Sequence, residues 1–509
     1  MAIRLRIIIA ILGSYACSLV YMHRSGISVA VVAMTKNPVV DQNQNISSSS
    51  FNYTSSSISD QPLYDWSETL QGIILGAQFY LYIFVPTLAG RATDAIGGKW
   101  IAFFGALGPC ILALLTPVMI EFGNAWALII NRILVGGFHG FTYAAMFSLY
   151  VKWFPIKELS MANSGLIFGG SIGSTIMSAL AGYIAQYWSW QAVFYVIALF
   201  HLPFLILWFI LSTNEPDTNR FISSEELIYI QQNVQQKIIS KKIKAPWLRM
   251  IFSIPVLCSL ITKMCSGFGY FLMITKLPSY LENAFQIELF KNGWVYAGTN
   301  LANGLASLLA PTIANVLMNR FGIRRLIVRK IFQSIALFGP AICLGLIPAF
   351  GSKPEPVIVM LIMAMMLYGF FSAGEWTIIS EYAPNFAGTV FGMANILAFA
   401  MGVVAPYIVG VLLDDKNSNH TDMQQWNKVF YIAVIIYVIG GLTFLLFATD
   451  QQQTWDRDVI IIKDNNHHDD NDDEKCKVIN SKIRNRSTEI NTNNNNNNDS
   501  DDRTSITMT

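Results

Sequence analysis

Twelve apolar stretches, each of roughly twenty residues or more, dominate this chain: 7–34, 69–89, 100–122, 125–150, 165–187, 192–211, 252–281, 294–318, 331–350, 357–379, 389–413 and 429–447. Crossing ~30 Å of hydrocarbon takes about that many residues, because only an unbroken helix satisfies its backbone N–H and C=O groups without water. The spacing predicts an all-α membrane protein with twelve transmembrane helices, embedded in a lipid bilayer. Composition agrees: of 509 residues 53% are hydrophobic and 13% charged, with mean hydropathy +0.43, too apolar for a water-soluble domain. A net charge of +2, with its basic residues in short loops, argues against nucleic acid as a partner. Cys17, Cys110, Cys258, Cys265 and Cys343 fall in apolar stretches and Cys476 in a polar tail, so no disulfide framework, metal site or cofactor is expected. The first stretch is too long for a signal peptide, contains Arg24 and lacks a small-residue cleavage site; it reads as a retained span.

Lysine and arginine beside the spans set the expected orientation. Arg4, Arg6, Arg91, Lys99, Lys152, Lys157, Lys237, Lys241, Lys242, Lys244, Arg249, Arg320, Arg324, Arg325, Arg329 and Lys330 fall on one side; only Lys36, Lys291, Lys353, Lys416 and Lys428 fall on the other. Both termini are therefore expected in the cytosol. Glycosylation sequons at Asn45, Asn52 and Asn419 then lie outside or in a lumen.

A polar, Lys-rich segment separates the first six spans from the last six. It divides the chain into an N-terminal six-helix bundle (1–213), a cytosolic linker (214–251), a C-terminal six-helix bundle (252–450) and a tail (451–509). The halves echo each other: "WQAVFYV" opens span six at Trp190 and "WNKVFYI" opens span twelve at Trp426. Such repetition marks transporters built from duplicated bundles. After span two, "GRATDAIGGK" fits G-x-x-x-D-x-x-G-x-K/R through Gly90, Asp94, Gly97 and Lys99. After span eight, "NVLMNRFGIR" keeps the frame at Asn315, Asn319, Gly322 and Arg324, with Asn replacing Gly and Asp. This suits a gate: glycines permit a tight turn, and Asp94 at a helix end can pair with cations that separate as domains rock. Glycines at 165, 169, 173 and 182 in span five, and at 388, 392, 402 and 410 in span eleven, permit close helix packing.

The loop phrase is the signature of the major facilitator superfamily, and further text resembles its anion/cation symporter branch, solute carrier family seventeen. The matching stretches are "RSGISVAVVAM" in span one, "WSETLQGIILGAQFYLYI" entering span two, "RILVGGFHGFTYAAM" in span four, "ISSEELIYI" and "APWLRMIFSIPV" in the linker, "LPSYLENAF" ending span seven and "EYAPNFAGTVFGMAN" between spans ten and eleven. The similarity runs from about Tyr21 to Asp450 and is strongest to the sialin-like members. It implies two pseudo-symmetric six-helix bundles and transport of small organic anions such as sialic acid or acidic amino acids, or of phosphate, by alternating access, coupled to protons or sodium. The alternative is an anion uniporter or channel-like protein without ion coupling.

An ionisable side chain near mid-bilayer costs about 3 kcal/mol or more, so it normally faces a wet cavity or a partner. Arg24 lies too deep for easy snorkelling. It is expected to line a central cavity and hold a substrate anion by charge-assisted hydrogen bonds, or else to pair with Glu375. The resemblance favours the anion, since the family carries a substrate-binding arginine here. Lys263 and Lys276 in span seven and Arg132 in span four add positive charge against one deep carboxylate, Glu375. A surplus of buried cations implies an anionic cargo. Lys276 could instead snorkel past Pro278, and Arg132, which matches a family arginine, could pair with Glu121. Tyr21, Tyr80, Tyr82, Tyr143 and Tyr270 are candidate cavity walls.

For coupling the chain departs from the family, which usually has glutamate where His139 stands and a histidine where Phe147 stands. His139 could take over, because an ordinary imidazole pKa near 6.5 suits switching between neutral cytosol and acidic lumen. Glu375, at a position usually apolar in the family, is a second candidate. His23, His139 and His201 lie on different spans with no carboxylate at ligand spacing, and no nucleophile or acid/base constellation appears, so the chain is not read as an enzyme. The tail from 451, with acidic clusters and an asparagine run, is expected to be disordered. Within it "DRDVII" distantly resembles a sorting signal, which leaves lysosomal, vesicular and plasma membranes open.

Overall fold

A computed structural model describes residues 4–35, 64–233, 246–351, 353–414 and 422–456. The sequons at Asn45, Asn52 and Asn419 and the chain beyond 456 lie outside them. All regular structure among the described residues is helical: α1 (Leu5–Thr35), α2 (Glu68–Tyr82), α3 (Val85–Ile96), α4 (Gly98–Trp153), α5 (Ile156–Tyr187), α6 (Trp190–Leu211), α7 (Ser224–Asn233), α8 (Trp247–Ile251), α9 (Ile254–Phe285), α10 (Leu289–Arg320), α11 (Arg325–Leu346), α12 (Pro354–Tyr368), α13 (Glu375–Tyr382), α14 (Ala387–Leu413) and α15 (Asp422–Phe447).

Ten helical runs among the described residues are long and apolar enough to cross a membrane. Two local features reconcile this with twelve expected spans. The 56-residue α4 holds spans three and four, joined so tightly at Asn124 that helix continues on either side. There Asn124 takes φ 49° and ψ −142°, a positive-φ conformation outside the left-handed helical well. Its Oδ1 accepts from Trp66 Nε1 and Ala125 N, both at 2.7 Å. Asn131 Nδ2 reaches back to Leu112 O at 3.0 Å, so the chain reverses. Conversely, span two breaks at Ile83–Phe84, ahead of Pro86, into α2 and α3, each too short to cross alone. Span ten is also interrupted: a 3-10 turn at Gly369–Ala373 separates α12 from α13.

Helices α1 to α6 pack into one bundle and α9 to α15 into another. The bundles meet through α2 on α14, α5 on α10 and α1 on α9. The first two pairs exchange under the pseudo-twofold relating the halves, span two with eleven and span five with eight. Both close at the end of the molecule opposite the linker. A Cβ on Gly72 would lie 2.3 Å from Pro406 O, and one on Gly182 would lie 2.5 Å from Leu289 O. Only glycine allows such backbone approach. Beside them Ser28 Oγ donates to Ile274 O at 3.1 Å. At the linker end one face of α14 is open: a Cβ on Gly388 or Gly392 would meet nothing within 4 Å.

On the linker face, Glu226 of α7 accepts from Leu5 N (2.8 Å) and Arg6 N (3.1 Å), capping α1. Arg6 in turn pairs with Glu158 of α5 at 3.0 Å. The first residues of the expected disordered tail are instead packed. Asp456 is buried and binds Asn385 N (3.1 Å), and Trp455 stacks near Phe386, because the indole has an apolar niche beside the α13–α14 turn.

Candidate functional site

The two bundles enclose a cavity of about 620 Å³. Tyr21 and Arg24 of α1, Tyr82 of α2 and Tyr143 of α4 wall one side; Lys263 and Tyr270 of α9, with Tyr368, Phe371 and Trp376 around the break in span ten, wall the other. It reaches Trp247 and Gly388 on the linker face. Toward the opposite face it stops where the glycine contacts bring the helices together. Tyr80, also a candidate wall, is 38% exposed and lies outside the lining.

Arg24 is only 5% exposed, yet among the described residues no carboxylate pairs with it. Its Nε and Nη2 have no hydrogen-bond partner. Aromatic faces surround the guanidinium instead: Tyr21 and Tyr82 at 4.9 Å and Phe79 at 5.2 Å. Each such contact contributes about 0.5–2 kcal/mol, less than burying a cation costs without a counter-charge. The alternative pairing with Glu375 does not occur. Arg132 does not meet Glu121 either; its Nη2 donates to Gln78 Oε1 of α2. Arg24 and Arg132 share the rim of a void of about 10 Å³, room for one water.

Glu375 opens α13, where the helix break lets its carboxylate turn toward α9. Lys263 Nζ donates to it at 3.1 Å, Ser266 Oγ at 3.2 Å and Gln333 Nε2 at 3.2 Å, while Gln333 Oε1 accepts from Glu375 N at 2.9 Å. Lys263 sits over the rings of Trp376 (4.7 Å), Phe391 (5.4 Å) and Phe371 (5.6 Å). The second bundle therefore presents a neutralised pole to the cavity, and the first presents an uncompensated one.

Lys276 lies away from the cavity. It is fully buried and pairs with Glu68 Oε2 at 2.7 Å, across the bundles at the closed end. Asn283 Nδ2 binds the other oxygen of Glu68 at 3.1 Å. Asp414, after α14, caps α2 by accepting from Glu68 N and Thr69 N, each at 2.8 Å. Partial burial pushes the Asp414 carboxyl up, but hydrogen bonds from Thr69, Glu68 and Ser67 outweigh it and hold it below its usual value. The expected cargo ligand Lys276 is thus placed as a closure.

His139 is buried inside the first bundle, and neither ring nitrogen has a hydrogen-bond partner. In the loop motif, Gly97 takes φ 94°, which only glycine adopts freely, and ends α3. Lys99 N donates to Asn214 Oδ1 at 2.9 Å and Lys99 Nζ to Phe209 O at 3.0 Å. The surroundings of Gly90 and the side chain of Asp94 fall outside what is described. Arg324 is exposed, and on that face of the second half Arg329 pairs with Glu381 at 2.8 Å. Sequence reasoning passed over Gln78 and Gln333. Both are amides in otherwise apolar spans, a signal that marks a buried partner.

Residues 14–406 match the Major Facilitator Superfamily. The chain is 30% identical to sialin of Homo sapiens over 451 residues, covering 88% of this chain and 90% of that protein. To vesicular glutamate transporter 2 of Homo sapiens it is 26% identical over 456 residues, 88% of this chain and 75% of that one. Among solved structures, a D-xylose-proton symporter matches with TM-score 0.62 at 16% identity, covering 87% of this chain and 99% of that chain. A bacterial homolog of the human lysosomal transporter Spinster matches with TM-score 0.63 at 10% identity, covering 89% and 100%. With its helical pairing, its central cavity and these likenesses together, the chain belongs to the major facilitator superfamily of membrane transporters, in the solute carrier seventeen branch that holds sialin and the vesicular glutamate transporters.

Proposed function

We propose that the protein moves small organic anions across a membrane by alternating access, with Arg24 as the anion-binding group. The observation that carries this reading is a guanidinium with open donors, unpaired, on the wall of a cavity between two bundles. A carboxylate or phosphate there would supply the missing counter-charge through charge-assisted hydrogen bonds. With the linker face in the cytosol, as the lysine and arginine bias expects, the cavity faces inward and the glycine contacts close the outer or luminal end. Rocking about those contacts would expose Arg24 to the other side.

The cargo is a monoanion of sialic acid or acidic amino acid type, with phosphate as the smaller alternative. Proton coupling follows from charge. One net charge moved through 100 mV exchanges about 2.3 kcal/mol with the field, and one proton carried with a monoanion removes that term. Of the two candidate carriers, Glu375 already neutralises Lys263, whereas His139 has open nitrogens in the bundle that holds Arg24. A uniporter without coupling would follow the potential instead.

The test is uptake into proteoliposomes of labelled sialic acid, L-glutamate and phosphate, with pH and sodium gradients imposed separately. Accumulation of one of them driven by a pH gradient, and its loss in Arg24→Ala, is expected. Normal uptake by Arg24→Ala would overturn the assignment.

A further inference from the structure

His139 does not stand alone. Its ring lies 5.0 Å, centroid to centroid, from that of His23 on α1, and His23 lies 5.1 Å from His201 on α6, both edge to face. Three imidazoles from three helices thus converge in the first bundle, at residues far apart in sequence. All three are at most 3% exposed. His201 Nδ1 is 2.9 Å from Ile197 O, and since a carbonyl only accepts, that nitrogen carries the proton and Nε2 keeps its lone pair. His23 Nε2 and both nitrogens of His139 are buried with no hydrogen-bond partner. Buried polar atoms are nearly always paired, so this many open nitrogens in one place call for an occupant. Centroids 5 Å apart leave room for an N–H···N bond or one bridging water.

The surroundings decide which occupant. Arg132 acts on His23 and His139, and Arg24, next in sequence to His23, acts on His139. The other titratable side chains are Tyr15, Cys17 and Tyr21 on α1, Tyr82 on α2, and Cys110 and Tyr143 on α4, with Tyr15 donating to Phe200 O of α6 at 2.6 Å. On α5 the titratable residues sit near its two ends, and on α6 Tyr195 points outward. Among the described side chains of this bundle the carboxylates, Asp65, Glu68, Glu121 and Glu158, lie in loops or at span ends. A site with two fixed cations and no acid repels a metal cation while the cavity is empty, and the described residues hold no metal-ligand cluster.

We infer that His23, His139 and His201 form one shared proton-binding site, filled when an anion docks on Arg24 and emptied when it leaves. With the cavity empty, Arg24 and Arg132 oppose a third positive charge. An anion on Arg24 cancels that field, and a proton then adds to a free ring nitrogen and is shared among the three. Because linkage is reciprocal, the proton also tightens the anion. No bond in the cargo changes; one proton enters from the side where the anion binds and departs with it on the other. The inference rests on the anion-carrier reading above and names where its proton resides.

The test is calorimetric titration of purified protein in two buffers of different ionisation enthalpy, which reads protons taken up per anion bound. Sialic acid, L-glutamate and phosphate serve as probes. Wild-type protein is expected to take up close to one proton per anion, its affinity weakening by up to about tenfold per pH unit over the window of uptake. In His139→Gln that uptake should vanish and the pH profile flatten. His201→Gln supplies the same comparison where His139→Gln fails to give monodisperse protein. Anion binding by wild type with no proton taken up, or uptake that persists in both variants, overturns the trio while leaving the anion carrier standing. Wild type that binds none of the three probes refutes the carrier reading instead. The trio is then judged by 15N spectra of histidine-labelled protein from pH 8 to pH 5. Recorded with excess acetate as a small carboxylate for Arg24, a titrating signal that disappears in His139→Gln supports it, and three imidazoles that stay neutral both with and without acetate overturn it.

Discussion

Removing either partner of the Lys263–Glu375 pair should destabilise the protein far more than removing both. The two charges are 3.1 Å apart, with the Glu375 side chain 2% exposed and that of Lys263 9%. Breaking a buried pair by deleting one charge costs about 3–5 kcal/mol, because the other is left uncompensated. The two deletions are not equivalent. After Glu375→Gln, Lys263 keeps three aromatic faces within 5.6 Å and borders the cavity, so about 2–3 kcal/mol is expected. After Lys263→Met, the carboxylate keeps only the neutral donors Ser266 and Gln333, so about 3–5 kcal/mol is expected. The double variant should lose under about 1.5 kcal/mol, and the difference is the coupling energy. Thermal unfolding of purified protein in detergent reads the order. For a six-helix unit of about 200 residues, each kcal/mol moves the midpoint by about 2–4 °C. A double variant as unstable as the two single variants summed would refute the pairing argument.

Other consequences concern closure. Lys276→Met or Glu68→Gln should loosen the end opposite the linker and raise labelling of a cysteine placed there by about fivefold or more, as expected for losing 1–3 kcal/mol of closed-state preference. Gly72→Val should fold yet stop transport, because its side chain would meet Pro406 O and hold the bundles apart; transport at the normal rate would contradict the close approach. Asp414 helps hold that end as a carboxylate held below its usual value. A depressed acid contributes at any pH above its unfolded value, and its contribution fades only as pH falls through the folded one. Labelling at that end should therefore be flat from pH 7 to pH 5 as far as Asp414 is concerned, and Asp414→Asn should raise it equally at both.

Span existence and depth were legible because both follow from hydropathy along one dimension. Arg24 stood out for the same reason, since a cation in the middle of an apolar stretch has few places to go. Azimuth was not legible. The 3-10 turn before Glu375 rotates its carboxylate toward Lys263 in its own bundle, and no periodicity reports that rotation. Lys276 is about three and a half helical turns from Lys263 along α9, which carries it out of the cavity to Glu68. The meeting of His23, His139 and His201 depends on how α1, α4 and α6 are arranged about their bundle axis, which residues spread over 178 positions do not disclose. Spans three and four have no loop between them because the single residue Asn124, at φ 49°, suffices to turn the chain.

Equilibrium binding of the transported anion to wild-type, Arg24→Lys and Arg24→Ala protein at one pH tests the central assignment most directly. Arg24→Ala should weaken binding by about a hundredfold or more, as losing one side of a buried charged hydrogen-bonded contact does, and Arg24→Lys should recover part of it. Affinity in Arg24→Ala within a factor of about three of wild type, with folding intact, would place the anion elsewhere and contradict the account.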